Sequence, residues 1–206
     1  MTTVLLVRHG ETLWNREGRI QGWAPTTLTE RGRDQASRAG EYLADAFDVD
    51  RVVASDLRRT RETAALLREA GVGPDADPDF ERGWRERDFG VYQGLPYDEV
   101  FERHPEHDAT TGIVSLDATP EGGESMLDLY DRVLGAFQRL VVGAADDETV
   151  VVVTHGGPIY IVVGHAKGQD MVTAIKEGHQ SNCALNELRH EDGRVSLVSE
   201  NATPWD

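Results

Sequence analysis

The sequence predicts an α/β fold: a three-layer sandwich with a mostly parallel central sheet and helices on both faces. Short apolar runs without polar alternation recur at residues 3–7, 51–55 and 149–155, the pattern of strands buried on both sides. Stretches with helical apolar spacing separate them, giving a β-α-β-α order. The 206 residues suit one domain with a substantial core, and no repeat, low-complexity tract or linker divides residues 1–206.

The elements follow in order. Residues 3–7 form the first strand, and Thr29 is the expected N-cap of a helix running to about residue 47, "LTERGRDQASRAGEYLADAF". "RVVAS" (51–55) is a short strand, and residues 57–70 a helix stopped by Gly71. Residues 72–122 carry prolines at 74, 78, 96, 105 and 120 and are expected to hold at most one short strand and one short helix. Within them, 94–122 is the expected insertion, a cap over the site. Residues 125–142 return to helical spacing through Met126, Leu129, Val133, Phe137 and Leu140. "TVVVVTH" (149–155) is the clearest buried strand, and "GGPIYIVVGHAK" a helix with proline in its first turn. "CALNELRH" and "RVSLVSE" read as a hairpin across "EDG".

Composition narrows the function. Asp and Glu number 37 against 21 Lys and Arg, a formal charge of −16, and Lys167 and Lys176 are the only lysines. Such a surface repels nucleic acid and anionic membranes, so neither is an expected partner. The same surface is expected of a salt-rich (halophilic) cytosol, with an acidic protein of an ordinary cell as the alternative, because at molar salt the Debye length of about 3 Å removes long-range repulsion of an anionic metabolite. No apolar run approaches the roughly 20 residues of a membrane helix, and no export pattern is present; a cytoplasmic location is expected. One cysteine, Cys183, leaves no internal disulfide or cysteine metal cluster. A homo-oligomer is compatible with the pattern, which marks no interface.

Two segments share an outline: "LLVRHG" (5–10) and "VVVTHGG" (151–157) each run a buried strand into a histidine and glycine. Between them, "SDLRRTRETA" (55–64) sets Arg59 near a helix start. In a parallel sheet, ligands gather beyond the carboxyl ends of the strands, so His9, His155, Arg8 and Arg59 can converge. The product is a compact cationic pocket suited to phosphate, whose oxygens arginine forks bind. Taken singly, each residue has a plainer account: Arg8 a surface ion pair, Arg59 one of several helix arginines, His155 a structural hydrogen bond, and Glu86 part of a solvated charged run. His104 and His107 are expected to be solvent-exposed. His165, His179 and His190 have no chemical context.

The segments "LLVRHGETLWN" (5–15), "GRIQGWAPTTLTERGRDQA" (18–36), "SDLRRTRETA", "RERDFGVYQG" (85–94), "PEGGES" (120–125), "VVVVTHGG" (150–157) and "SNCALNEL" (181–188) together resemble the histidine phosphatase superfamily, the phosphoglycerate mutase-like proteins. The resemblance implies that His9 attacks phosphorus and carries a phosphohistidine. It implies that Arg8, Arg59 and His155 clamp the phosphoryl oxygens, and that Glu86 protonates the leaving oxygen, with Glu81 a weaker candidate. It also implies that Asn15, Gln21, Gly22 and Gly156 line the phosphate pocket and that no metal or other cofactor is needed. The superfamily holds mutases and phosphomonoester hydrolases. Cofactor-dependent mutases carry a lysine and an arginine pair after the catalytic glutamate; here residues 94–116 have no lysine and only Arg103. The expected activity is therefore hydrolysis of a small phosphate ester. Phosphoglycerate mutation is the alternative, and a catalytically silent phosphate-binding or scaffold protein the second.

Overall fold

The computed structural model describes residues 1–205. Its six strands are β1 (Thr2–Arg8), β2 (Arg51–Ala54), β3 (Asp79–Phe80), β4 (Thr149–Thr154), β5 (Leu185–Glu191) and β6 (Arg194–Ala202). They form one sheet in the order β3-β2-β4-β1-β5-β6. The pairs β3·β2, β2·β4 and β4·β1 are parallel; β5 runs antiparallel to β1, and β6 to β5. The helices are α1 (Leu13–Arg16), α2 (Glu30–Ala46), α3 (Arg58–Glu69), α4 (Tyr97–Arg103), α5 (Met126–Val142), α6 (Gly156–Lys167) and α7 (Met171–Glu177).

Strand pleating divides the core in two. Val4, Leu6, Val150 and Val152 face one side, where they pack with Leu129, Val133 and Phe137 of α5 and Ile159 and Val163 of α6. Leu5, Val7, Val151 and Val153 face the other, against Ala36, Ala39 and Leu43 of α2 and Ala64 and Leu67 of α3. Side chains alternate across a strand, so an unbroken valine run is the composition a two-faced sheet requires. Each fully buried valine or leucine contributes about 1.5–3 kcal/mol. The predicted three layers are therefore present.

Local chemistry sets the ends. Thr29 caps α2, its hydroxyl accepting from the Gly32 amide at 3.0 Å. Ser125 and Asp128 form a reciprocal capping box at α5. The β5–β6 turn places Asp192 and Gly193 at φ 50° and 74°, the left-handed pair that a tight hairpin demands. Gly10 and Gly32 are fixed by close approach: a Cβ on Gly10 would lie 2.3 Å from the Gly32 carbonyl oxygen. That contact seats the first turn of α2 against the loop leaving β1.

The stretch 72–122 holds the short strand β3 and the short helix α4, together with 3₁₀ turns at Arg82–Trp84, Gly90–Tyr92, Pro105–His107 and Ile113–Leu116. The helices α1 and α7 were not anticipated. Both are brief, and each begins at a side-chain cap, Thr12 and Asp170 respectively. His107 corrects an expectation: it is 7% exposed, stacked with Tyr92 at a ring-centroid distance of 5.2 Å. Proline at 105 starts the turn that folds this ring inward.

Candidate active site

The parallel register of β1 and β4 ends with Arg8 opposite Thr154. The next residue on each strand is a histidine, and the His9 amide donates to the Thr154 carbonyl at 3.0 Å. The rings of His9 and His155 consequently lie 5.2 Å apart, tilted by 60°. Neighbouring β2 also ends at this edge and leads through Ser55 into α3, which delivers Arg59 from the third side.

Arg59 Nε lies 3.2 Å from both His9 Nε2 and His155 Nδ1. One N–H thus faces two ring nitrogens, each of which must offer a lone pair. The other ring nitrogens agree. His9 Nδ1 is 2.8 Å from the Gly10 carbonyl, so it carries the proton. His155 Nε2 is 2.9 Å from the Ser55 hydroxyl, so its proton is there. The tautomers are opposite and both are fixed by their partners.

Burial dominates the electrostatics. His9, Arg59 and His155 are 2%, 1% and 0% exposed. Burial, then the charge of Arg59, pushes both histidines well below the usual imidazole range, with Arg8 adding to the effect. Both rings are therefore neutral at pH 7. Burial lowers Arg59 to about 10, partly offset by Glu86, which leaves the guanidinium charged. Its Nη2 and Nη1 donate to the carbonyls of Gly22 (2.8 Å) and Ala24 (3.3 Å). Arg8 Nη1 donates to the Gln180 carbonyl, while its buried Nε has no hydrogen-bond partner among the described residues. An unmatched guanidinium donor at this edge suits an anionic ligand.

Glu86 meets the amino end of α6. Its Oε2 accepts from the Gly157 amide at 3.2 Å and its Oε1 from the Arg87 amide at 2.9 Å. A Cβ at 157 would stand 2.3 Å from Glu86 Oε1, so any larger residue there displaces the Glu86 carboxyl group. Gly156, the first residue of α6, lines with Arg8 and Glu86 a cavity of about 200 Å³. A larger recess of about 310 Å³ beside Trp14 and Pro25 has no ionisable lining and is not the chemical centre.

The structure thus brings together Arg8, His9, Gly22, Arg59, Glu86, His155 and Gly156. Asn15 and Gln21 stand further out. Asn15 Oδ1 accepts from the Thr12 amide at 3.1 Å, and Gln21 Oε1 accepts from the Thr12 and Thr26 hydroxyls at 2.9 and 2.7 Å. Asn182 links this layer to the centre, its Nδ2 donating to the His9 carbonyl at 3.0 Å and reaching Asn15 Oδ1 at 3.4 Å. Glu81 lies in a different setting, paired with Arg139 at 2.5 Å. Trp84 is core, whereas Trp23 donates from Nε1 to the Glu86 carbonyl at 2.7 Å.

Several participants escaped sequence reasoning. Arg132 of α5 donates to the carbonyls of Arg82, Gly83, Arg85 and Glu86 and also pairs with Glu124. It reads in sequence as one more solvated helix arginine. Tyr97 is 40% exposed as a residue, yet its hydroxyl is buried near Glu86, Arg8 and Arg59, and burial raises it to about 12. A tyrosine in a proline-rich segment gives no such signal.

Geometry and fold together define a class: an oxyanion pocket centred on two neutral histidines at the carboxyl edge of a parallel sheet. Residues 4–203 match the model of the histidine phosphatase superfamily (branch 1), and the chain belongs to that family. It is 37% identical over 191 residues to phosphoglycerate mutase-like protein 4 of Arabidopsis thaliana, covering 92% of this chain and 80% of that one. Among solved structures, Bacillus stearothermophilus YhfR superposes with a TM-score of 0.86 at 30% identity over 98% of this chain and 97% of that one. A mycobacterial glucosyl-3-phosphoglycerate phosphatase in complex with VO3 gives 0.82 at 29% identity, covering 97% and 98%. No helix among the described residues is long and apolar enough to cross a membrane.

Proposed function

We propose that the protein hydrolyses small phosphate monoesters through a phosphohistidine on His9. The observation that carries this reading is the single Arg59 N–H facing the lone pairs of both His9 Nε2 and His155 Nδ1. An entering phosphoryl group takes that N–H onto one of its oxygens and frees Nε2. Nε2 then attacks phosphorus, and the bond to the alcohol oxygen breaks with its electron pair on oxygen. Glu86, entering this step as the carboxylic acid, gives its proton to that oxygen, which leaves as the alcohol. The Glu86 carboxylate next removes a proton from water as that water attacks phosphorus, and the N–P bond breaks, returning His9. Arg8, Arg59 and His155 stabilise charge on the transferring oxygens, and the Gly10 carbonyl holds the Nδ1 proton throughout.

Hydrolysis rather than mutation is supported by where the cations lie. Arg103, the only arginine of residues 94–116, is 71% exposed at its side chain and pairs with Glu99. Arg87 reaches the cavity, but its guanidinium donates to the carbonyls of Glu124, His107 and Ala118 at 2.9–3.1 Å. The exposure of Arg103 and the three carbonyls that hold Arg87 support hydrolysis over retention of a phosphoglycerate. Residues 97–110 border the cavity beside Glu86, which supports their role as a cap. We also assign the protein to a salt-rich cytosol on its charge of −16.

The test is release of inorganic phosphate from a panel of monoesters by the wild-type protein and Glu86→Gln, alongside 2- and 3-phosphoglycerate with added bisphosphate. Release without interconversion is the expected result. Interconversion without net release would instead establish a mutase.

A further inference from the structure

We infer that the cavity selects phosphate esters of uncharged, largely apolar alcohols and rejects esters whose alcohol bears a second anion. This rests on the proposed phosphatase activity and adds the substrate class. The cavity opens beside Glu86 and Arg8, where the departing alcohol must lie if Glu86 protonates it. Its apolar lining comes from Phe89, Phe101, Ala109, Met126, Leu129 and Ile175. Those side chains come from the 3₁₀ turn region, residues 97–110, α5 and α7, so several elements contribute apolar surface to the cavity.

The charges on this wall sharpen the selection. A carboxylate or second phosphate on the alcohol needs a cation free to turn toward it. Away from the phosphoryl end the lining cation is Arg87, whose Nε, Nη1 and Nη2 each donate one N–H to a carbonyl, which holds the guanidinium against the wall. His107 also lines the cavity, and burial lowers its pKa below the ordinary imidazole value, so it adds no positive charge at pH 7. Asp108 places a carboxylate on the same wall, its Oδ1 held by the Thr110 amide and hydroxyl at 2.9 and 2.7 Å. Beyond the phosphoryl end a second anion would meet a guanidinium already held by three carbonyls and, on Asp108, a carboxylate held by Thr110. An uncharged alcohol body displaces water from that surface at about 25 cal/mol per Å² gained, and the hydroxyls of Tyr97 and Tyr160, both on the lining, are there for a polar edge.

The experiment compares hexyl phosphate with 6-phosphooxyhexanoate, which share a primary alkoxide leaving group and differ by a terminal carboxylate. Both are assayed with p-nitrophenyl phosphate at about 1 M KCl, where a Debye length of about 3 Å removes repulsion by the distant acidic surface. The wild-type kcat/KM is expected to favour hexyl phosphate by roughly tenfold or more, and Phe101→Arg to reduce that ratio by roughly fivefold or more. Equal or better hydrolysis of the carboxylate ester by the wild type overturns the inference while leaving the phosphatase reading intact. Failure to hydrolyse any of the three esters overturns the phosphatase reading and this inference with it.

Discussion

His9 Nδ1 faces the Gly10 carbonyl at 2.8 Å, and that contact leaves Nε2 as the nitrogen able to attack. Because burial and Arg59 hold His9 well below 6.5, the neutral ring persists on acidification. The kcat/KM profile is expected to lack a limb near pH 6.5 assignable to His9, with the nucleophile lost only well below it; a pH–rate series from 5 to 8 checks this. Glu86→Gln keeps an oxygen for the Gly157 amide but cannot give up a proton to the alkoxide. Its turnover should fall by about 10²–10⁴-fold on alkyl phosphates and much less on p-nitrophenyl phosphate. At this scale Arg8, His9, Arg59, Glu86 and His155 were legible because each sits in a motif with chemical sense. Their anchors were not: the carbonyls of Gly10, Gly22, Ala24 and Gln180 carry no mark in the sequence, since every residue has one. His107 differs from its sequence reading for a related reason, because a histidine between Glu106 and Asp108 reads as solvated while its ring packs on Tyr92.

At the scale of elements, the β1–β4 register brings two histidines distant in sequence to one place, and Arg132 fixes the third component. Its guanidinium ties α5 to the loop 82–86 through the carbonyls of Arg82, Gly83, Arg85 and Glu86. Arg132→Met removes those donors and should lower stability by about 1–3 kcal/mol, measured by denaturant unfolding. It should also lower kcat on alkyl phosphates more than on p-nitrophenyl phosphate, because Glu86 loses its placement. Gly157→Ala, which drives a Cβ to 2.3 Å from Glu86 Oε1, should show the same leaving-group pattern with α6 intact by circular dichroism. The long strands and helices were readable from apolar spacing. The short helices α1 and α7 were not, because a turn or two gives too few residues for a period to emerge. In residues 72–122 the arrangement depends on contacts made across the fold: Arg87 on three distant carbonyls and the Thr154 hydroxyl on the Trp84 carbonyl.

For the whole molecule, a cationic pocket sits within a chain of formal charge −16. Raising salt from about 0.1 to 1 M shortens the Debye length from about 10 to 3 Å. The KM for a dianionic ester should therefore fall or hold steady with salt, whereas binding driven by surface cations would weaken. Acid stability has a definite sign. His9 and His155 have folded pKa values below the unfolded value of about 6.5, so the unfolded chain binds protons first. The stability from these neutral buried rings is complete above about pH 6.5 and is lost as pH falls toward their folded values, by up to about 1.4 kcal/mol per unit for each. Calorimetric Tm values between pH 8 and 5 should decline accordingly, with His9→Gln showing a shallower decline. The sandwich architecture was legible because composition alone signals buried strands; the cavity's apolar lining was not, because Phe89, Phe101 and Ile175 meet only in three dimensions.

The central claim is a covalent phosphohistidine on His9. Rapid quenching of the wild-type protein with a ³²P-labelled monoester, followed by base-stable, acid-labile recovery of label and peptide mapping, tests it most directly. The account predicts label on His9 that forms and decays at rates compatible with turnover and is absent from His9→Ala. Steady phosphate release by His9→Ala at the wild-type rate, or label confined to another residue, would contradict it.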